Sequence, residues 1–238
     1  MPKLRILEEY ETDIPDDPKG WFADWVLRYP EASSRHITQS YQVLRVLRDS
    51  RELPEQIEVN EYFGGLGCQA LAVQELFAVK QHRIAENNSQ AWAHLFDTIP
   101  GNPLVLLRDS YKDPLGPTAN LELADFGDLT VWKMEHNKPY SDLCDHIFGG
   151  APGAVVLTDI AGERLHLQAQ RYSGLLGPFE GYEEYLQLLG QYVASRWGYF
   201  PRYTAWQRWS SVTWYSPLPG PHTVTPVLNH PRGIEVIK

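Results

Sequence analysis

Within seven positions, Glu61-Tyr62-Phe63-Gly64-Gly65-Leu66-Gly67 places one carboxylate, two aromatic rings and three glycines. Glycine tolerates left-handed backbone and carries no Cβ, so such a cluster lets main-chain N–H groups come close to a ligand. A tight packing turn has the same composition, and the segment alone leaves both readings open. Two further acidic positions follow. Glu86 stands 19 residues past Gly67, near the ~20 at which an acid ending a second strand accepts bonds from ribose hydroxyls. Asp125 and Asp128 lie in Asp-Phe-Gly-Asp, directly after the strand-like Leu-Glu-Leu-Ala. Each acid has an ordinary reading too. Glu61 and Asp128 suit solvated turns, and Glu86, next to Asn87, can favour a helix start through the helix dipole.

Other reactive groups form weaker constellations. Asp142, Asp145 and His146 share a helical face by their spacing. No second half of a ligand set accompanies them, so no metal site is expected. His166 is a candidate base whose bland alternative is a surface histidine. No Gly-x-x-x-x-Gly-Lys loop and no Gly-x-Ser-x-Gly elbow occurs, so a phosphate-cradling hydrolase loop and an α/β-hydrolase nucleophile are both missing. Cys68 and Cys144 are too few for a disulfide framework or a zinc site.

The surrounding pattern shows what must hold these residues. Residues 1–20, with two prolines in Thr-Asp-Ile-Pro-Asp-Asp-Pro-Lys-Gly, read as an extended arm. Helical spacing predicts helices over 21–29 and from Ser33 or Ser34, as cap, to Pro54. Strands are expected at 57–63 and 78–86, with a helix at 68–78 between them. A helix over 87–99 and a strand or short helix in 103–113 follow. Next come a strand opening 121–134, a short helix at 141–148 and a buried parallel strand at 153–162. A helix over 182–199 and a strand hairpin at 202–217 complete the order, and the last twenty residues read as a tail. Strands alternating with helices predict an α/β, Rossmann-like, mostly parallel sheet flanked by helices, with a terminal antiparallel strand pair and an N-terminal helical arm. The expected division is 1–55 for the arm and helices, 56–220 for the α/β domain and 221–238 for the tail.

Taken together, Glu61-Tyr62-Phe63-Gly64-Gly65-Leu66-Gly67, Glu86 and Ala-Asp-Phe-Gly-Asp resemble the class I methyltransferases that use S-adenosylmethionine. The likeness runs over roughly 57–162. It takes the form with phenylalanine in place of the first motif glycine, frequent in members that modify nucleic acids. The resemblance implies S-adenosylmethionine as cofactor. Glu61 would sit near its methionine amino group, and Phe63, Gly65 and Gly67 would line the backbone approach. Glu86 would take the ribose, Asp125 the adenine amino group and Phe126 the ring face. Asp159, ending the fourth strand of the resembling region, would stand nearest the methyl acceptor as the catalytic candidate. That strand continues as Thr-Asp-Ile-Ala-Gly-Glu-Arg. Amino-methylating members of the family instead carry two prolines and an aromatic after the acid or amide. Neither cysteine follows a proline, as a cytosine-C5 nucleophile would.

Composition bounds the class. With 238 residues, 43% hydrophobic and 21% charged, the chain suits one soluble domain. No signal-peptide pattern and no run of 18 apolar residues occurs, which predicts a cytoplasmic protein with no membrane span. Net charge is −9, the wrong sign for a body that wraps duplex phosphates. A local basic and aromatic stripe, Arg196, Arg202 and Arg208 with Trp206 and Trp209, is nonetheless a candidate nucleic-acid face, against the alternative of a packed sheet edge. Three readings stand. The first is a methyltransferase of unassigned acceptor, nucleic acid among them. The second is a chemically decayed relative acting in binding or assembly. The third is another Rossmann-like nucleotide binder, such as one for NAD.

Overall fold

A computed structural model describes residues 3–7, 30–65, 67–125, 131–160, 181–207, 210–226 and 233–237. Strand β1 (Lys3–Leu7) is followed by helix α1 (Pro30–Ser50). Proline fits the first turn of a helix because it lacks an N–H that would go unbonded there. The helix therefore begins before Ser33 and Ser34, which lie inside it rather than at its cap. Ser40, Val43, Leu44 and Leu47 form its buried stripe, recurring at three- and four-residue steps as a helix seated on a sheet requires.

Strand β2 (Gln56–Tyr62) leads through the glycine segment into α2 (Cys68–Leu76). Then come β3 (Ala78–Glu86), α3 (Ser89–Thr98) and β4 (Leu104–Leu107). The second half runs β5 (Leu121–Ala124), α4 (Val131–His136), α5 (Lys138–Gly149), β6 (Ala154–Ile160) and α6 (Tyr182–Trp197). It ends with β7 (Phe200–Gln207), β8 (Ser210–Ser216), β9 (Thr223–Pro226) and β10 (Gly233–Ile237).

Eight strands form one sheet in the order β4-β3-β2-β5-β6-β8-β7-β9. β4, β3, β2, β5 and β6 are parallel neighbours. β8 runs antiparallel between β6 and β7. The expected strand pair is therefore part of the main sheet. The stretch read as a tail adds β9, parallel to β7. Beyond it β10 pairs antiparallel with β1, from Lys3↔Ile237 to Leu7↔Gly233, so the two terminal stretches make a small sheet of their own. The predicted helix at 21–29 lies outside the described residues.

Strand alternation sends successive side chains to opposite faces. One face joins Ile57, Val59, Leu121, Leu123 and Val156 to Val43, Leu44 and Leu47 of α1 and Ala72, Val73 and Leu76 of α2. The other joins Tyr62, Ala124, Val155 and Leu157 to Tyr140, Leu143 and Ile147 of α5 and Tyr185, Leu186 and Leu189 of α6. A buried polar row interrupts this second face. Arg83 Nη1 donates to Asn60 Oδ1 at 3.2 Å, and Asn60 Nδ2 donates to Glu122 Oε1 at 2.9 Å. These three side chains stand at matched registers on β3, β2 and β5.

Candidate functional site

The strand order reverses between β2 and β5. From β2 the chain proceeds outward through β3 to β4, and from β5 the other way to β6. In open α/β sheets the crevice at the carboxyl ends of the strands flanking such a reversal takes ligands, because the loops there diverge. The ends of β2 and β5 are held side by side, the Asp125 amide donating to the Tyr62 carbonyl at 3.2 Å.

The glycine segment occupies this crevice. Phe63, Gly65 and Gly67 all take left-handed backbone, with φ of 61°, 51° and 73°. Phe63 does so although it carries a side chain, a conformation that costs an L-residue roughly 1–2 kcal/mol. The Gly64 amide donates to the Ala85 carbonyl at 3.0 Å and the Gly67 amide to the Gly64 carbonyl at 2.8 Å, so the turn is stitched to β3 and to itself. The two left-handed glycines differ in what surrounds them. A Cβ on Gly67 would come within 2.7 Å of Ile99 and 2.9 Å of Leu95, so Gly67 is small because α3 and its exit pack on it. Among the described residues, a Cβ on Gly65 would meet only the Phe63 carbonyl, at 3.6 Å. Helix packing therefore does not account for Gly65.

Glu86 ends β3 and is buried. Its Oε2 accepts from the Gly65 amide and its Oε1 from the Asn88 amide, each at 2.7 Å. A carboxylate has about four lone-pair sites, so each oxygen can still accept a hydroxyl. Asp125 directly follows β5 and is half-buried, and Thr158 Oγ1 donates to its Oδ1 at 2.6 Å. Thus Phe63, Gly65, Glu86 and Asp125 converge on one crevice from three strands. Phe126 and Asp128, from the same acidic segment, lie outside the described residues, as does His166.

Glu61 is placed differently. It shares the face of Ile57 and Val59 and is 1% exposed. His82 Nε2 lies 2.9 Å from its Oε2. Burial raises its pKa above the usual carboxylate range, against the opposing pull of His82.

Asp159 sits one step before the end of β6, on the opposite face and 2% exposed. Its register partner on β8 is Ser211. Its charge acts on buried tyrosines from three other elements. Tyr140, Tyr182 and Tyr215 are pushed upward in pKa, first by burial and then in part by the Asp159 charge. An aromatic chain connects these tyrosines to the glycine turn, with ring centroids 4.9 Å apart for Phe63 and Tyr111 and 6.2 Å for Tyr111 and Tyr140. Sequence reasoning missed these tyrosines. They come from separate segments with no local pattern, and only the sheet gathers them.

The described arginines of the basic stripe are paired, Arg196 at the surface and Arg202 half-buried. Arg196 donates to Glu135 at 2.9 Å and to Ser141 at 2.8 Å, and lies over the Trp197 ring at 4.7 Å. Arg202 pairs with Glu52 at 3.1 Å and faces the Trp214 ring. Trp206 packs on Tyr182 at 5.6 Å. Arg208 and Trp209 lie outside the described residues. In α5, Asp142 pairs with Lys138, and Asp145 accepts from Trp197 Nε1. No group of three potential metal ligands converges among the described residues. Nor is any described helix long and apolar enough to cross a membrane.

No family model and no curated protein matches the chain. Solved structures do. An S-adenosylmethionine-dependent methyltransferase from Clostridium acetobutylicum ATCC 824 superposes with a TM-score of 0.57, at 8% identity, over 83% of this chain and 99% of that one. Magnesium protoporphyrin IX methyltransferase from Synechocystis PCC 6803 gives 0.50 at 13% identity, over 85% and 87%. Identities this low speak to architecture alone. Together with the strand order and the glycine turn at its reversal, they show that the chain has the Rossmann-like fold of class I S-adenosylmethionine-dependent methyltransferases.

Proposed function

We propose that this protein is an S-adenosylmethionine-dependent methyltransferase. The observation that carries the reading is Gly65. It lies left-handed at the strand-order reversal, with no described helix packed on it and its amide fixed by Glu86. The residues present fit the cofactor. The open side of Gly65 admits backbone approach, with Phe63 and Gly67 shaping the turn, and the remaining lone pairs of Glu86 suit vicinal ribose hydroxyls. Asp125, and Phe126 by resemblance, would hold the adenine. When bound, the cofactor supplies an electrophilic methyl group on a sulfonium centre. The chain's own part is to hold the acceptor in line with that group, with Asp159 as the group that receives or orients its proton. The pairing of Arg196 with Glu135 and of Arg202 with Glu52 favours a small acceptor over a nucleic acid gripped by this stripe. We place the protein among soluble cytoplasmic enzymes.

Calorimetry tests the reading. The wild-type chain binds S-adenosylmethionine, and Gly65→Val abolishes binding while far-UV circular dichroism is retained. No binding to the wild type at millimolar cofactor removes the enzyme reading. Binding of NAD in its place would select the alternative nucleotide binder. Cofactor binding with no transfer to any offered acceptor would favour the decayed relative, which the deep burial of Asp159 also suits.

A further inference from the structure

The acid opening the glycine segment has partners that suit a brace better than a ligand contact. Helix α2 starts at Cys68, behind Gly67 as its cap residue, and Gly67 offers no side chain to the free amides of the first turn. Such amides need an acceptor. Glu61 stands at the end of β2, where the nearby Ala70 amide favours its charged form. Its partner is His82 on β3, with both side chains 1% exposed. His82 Nδ1 lies 3.1 Å from Gln74 Nε2 of α2. An amide nitrogen only donates, so Nδ1 accepts and Nε2 carries the hydrogen given to Glu61. The chain Gln74–His82–Glu61 therefore closes a loop from α2 through β3 to the end of β2. The glycine turn is the segment this loop encloses.

We propose that Glu61 is a positioning residue: it shapes the glycine turn through the buried His82–Gln74 link and does not touch the cofactor's amino group. This rests on the methyltransferase reading for its ligand but on the buried geometry for its content. If Glu61 acts only through the turn, its loss affects every ligand seated on the turn alike, whatever the ligand carries beyond the adenosine.

Two probes separate the roles. S-adenosylhomocysteine carries the amino-acid end, and 5′-methylthioadenosine keeps the adenosine thioether without it. Calorimetry on the wild type, Glu61→Gln and His82→Asn is expected to show both probes weakened by a common factor in both variants. That factor is on the order of two- to tenfold, the value of one lost hydrogen bond. A selective loss of S-adenosylhomocysteine in Glu61→Gln, with His82→Asn at wild-type affinity, would overturn the proposal. Thermal unfolding of the singles and the double variant reads the brace without a ligand. The melting shifts should be strongly non-additive, because removing either partner already breaks the pair. Additive shifts would overturn the brace. Should the wild type bind neither probe, the methyltransferase reading falls, and the double-variant cycle alone still decides whether Glu61 and His82 are coupled. Gln74→Ala, at the outer end of the chain, provides a milder variant with a smaller common loss.

Discussion

Gly65 and Gly67 stand two residues apart with similar backbone, yet their substitutions should separate. Gly65→Val is expected to remove cofactor binding with the fold retained, at a stability cost limited to its left-handed backbone, because no described neighbour crowds the space beside Gly65. Gly67→Ala forces a methyl group against Leu95 and Ile99 in a left-handed conformation. It should destabilise the fold by on the order of 2 to 4 kcal/mol, as the sum of backbone strain and overpacking. Urea denaturation of both variants checks this: a lowered midpoint for Gly67→Ala and a smaller change for Gly65→Val. The same scale explains why the role of Glu61 was not legible in the chain. Its motif position resembles a cofactor contact, but its partner His82 lies 21 residues away on a different strand. Spacing along the sequence carries no signal for a bond that only the β2–β3 register creates.

At the scale of elements, period and punctuation did most of the work. β3 has the bounds that alternation gave it, Ala78–Glu86, and the glycine turn falls between β2 and α2 as expected. The parallel core of the sheet followed from the alternation of strands and helices. What stayed illegible was what depends on pairing at a distance. β9 and β10 hold four and five residues and sit in a proline-containing stretch. They are strands because β7 and β1 offer open edges, and no feature of their own sequence announces that. Arg196 of α6 and Arg202 of β7 were similarly ambiguous. Composition shows a guanidinium but not whether Glu52 or Glu135 reaches it first. Asp159 is legible as an acid ending a strand, and the tyrosines its charge acts on become visible only when α5, α6 and β8 are folded over β6.

For the whole molecule, the polar row under the sheet sets a pH dependence. Burial raises Glu122 from 4.5 to about 7, against the bonds it accepts from Ala119 and Asn60. The folded state therefore holds this proton more tightly than the unfolded chain does. Its contribution is fully present below pH 4.5 and is lost as pH rises through about 7. The loss is on the order of 3 kcal/mol at most, from the shift at 1.36 kcal/mol per pKa unit. Glu122→Gln keeps an oxygen for Asn60 and Ala119 but cannot ionise. Denaturant midpoints at pH 5 and pH 8 should therefore fall less in Glu122→Gln than in the wild type, leaving the variant the more stable at pH 8. Equal slopes would show that Glu122 does not titrate in this range.

The pairing of β1 with β10 has a mechanical consequence. Lys3 lies opposite Ile237 and Leu7 opposite Gly233, so the outermost residues of the two strands are neighbours. Tension applied through residues 3 and 237 meets the ladder end-on, like the slider of a zipper, and loads its hydrogen bonds one after another rather than together. The clasp should part at low force as a separate early step, with the eight-stranded sheet still intact behind it. In an optical trap with handles at these two positions, the force–extension trace should show that small first release, and replacing Ile234 and Val236 by proline should erase it while leaving the later, larger rupture unchanged.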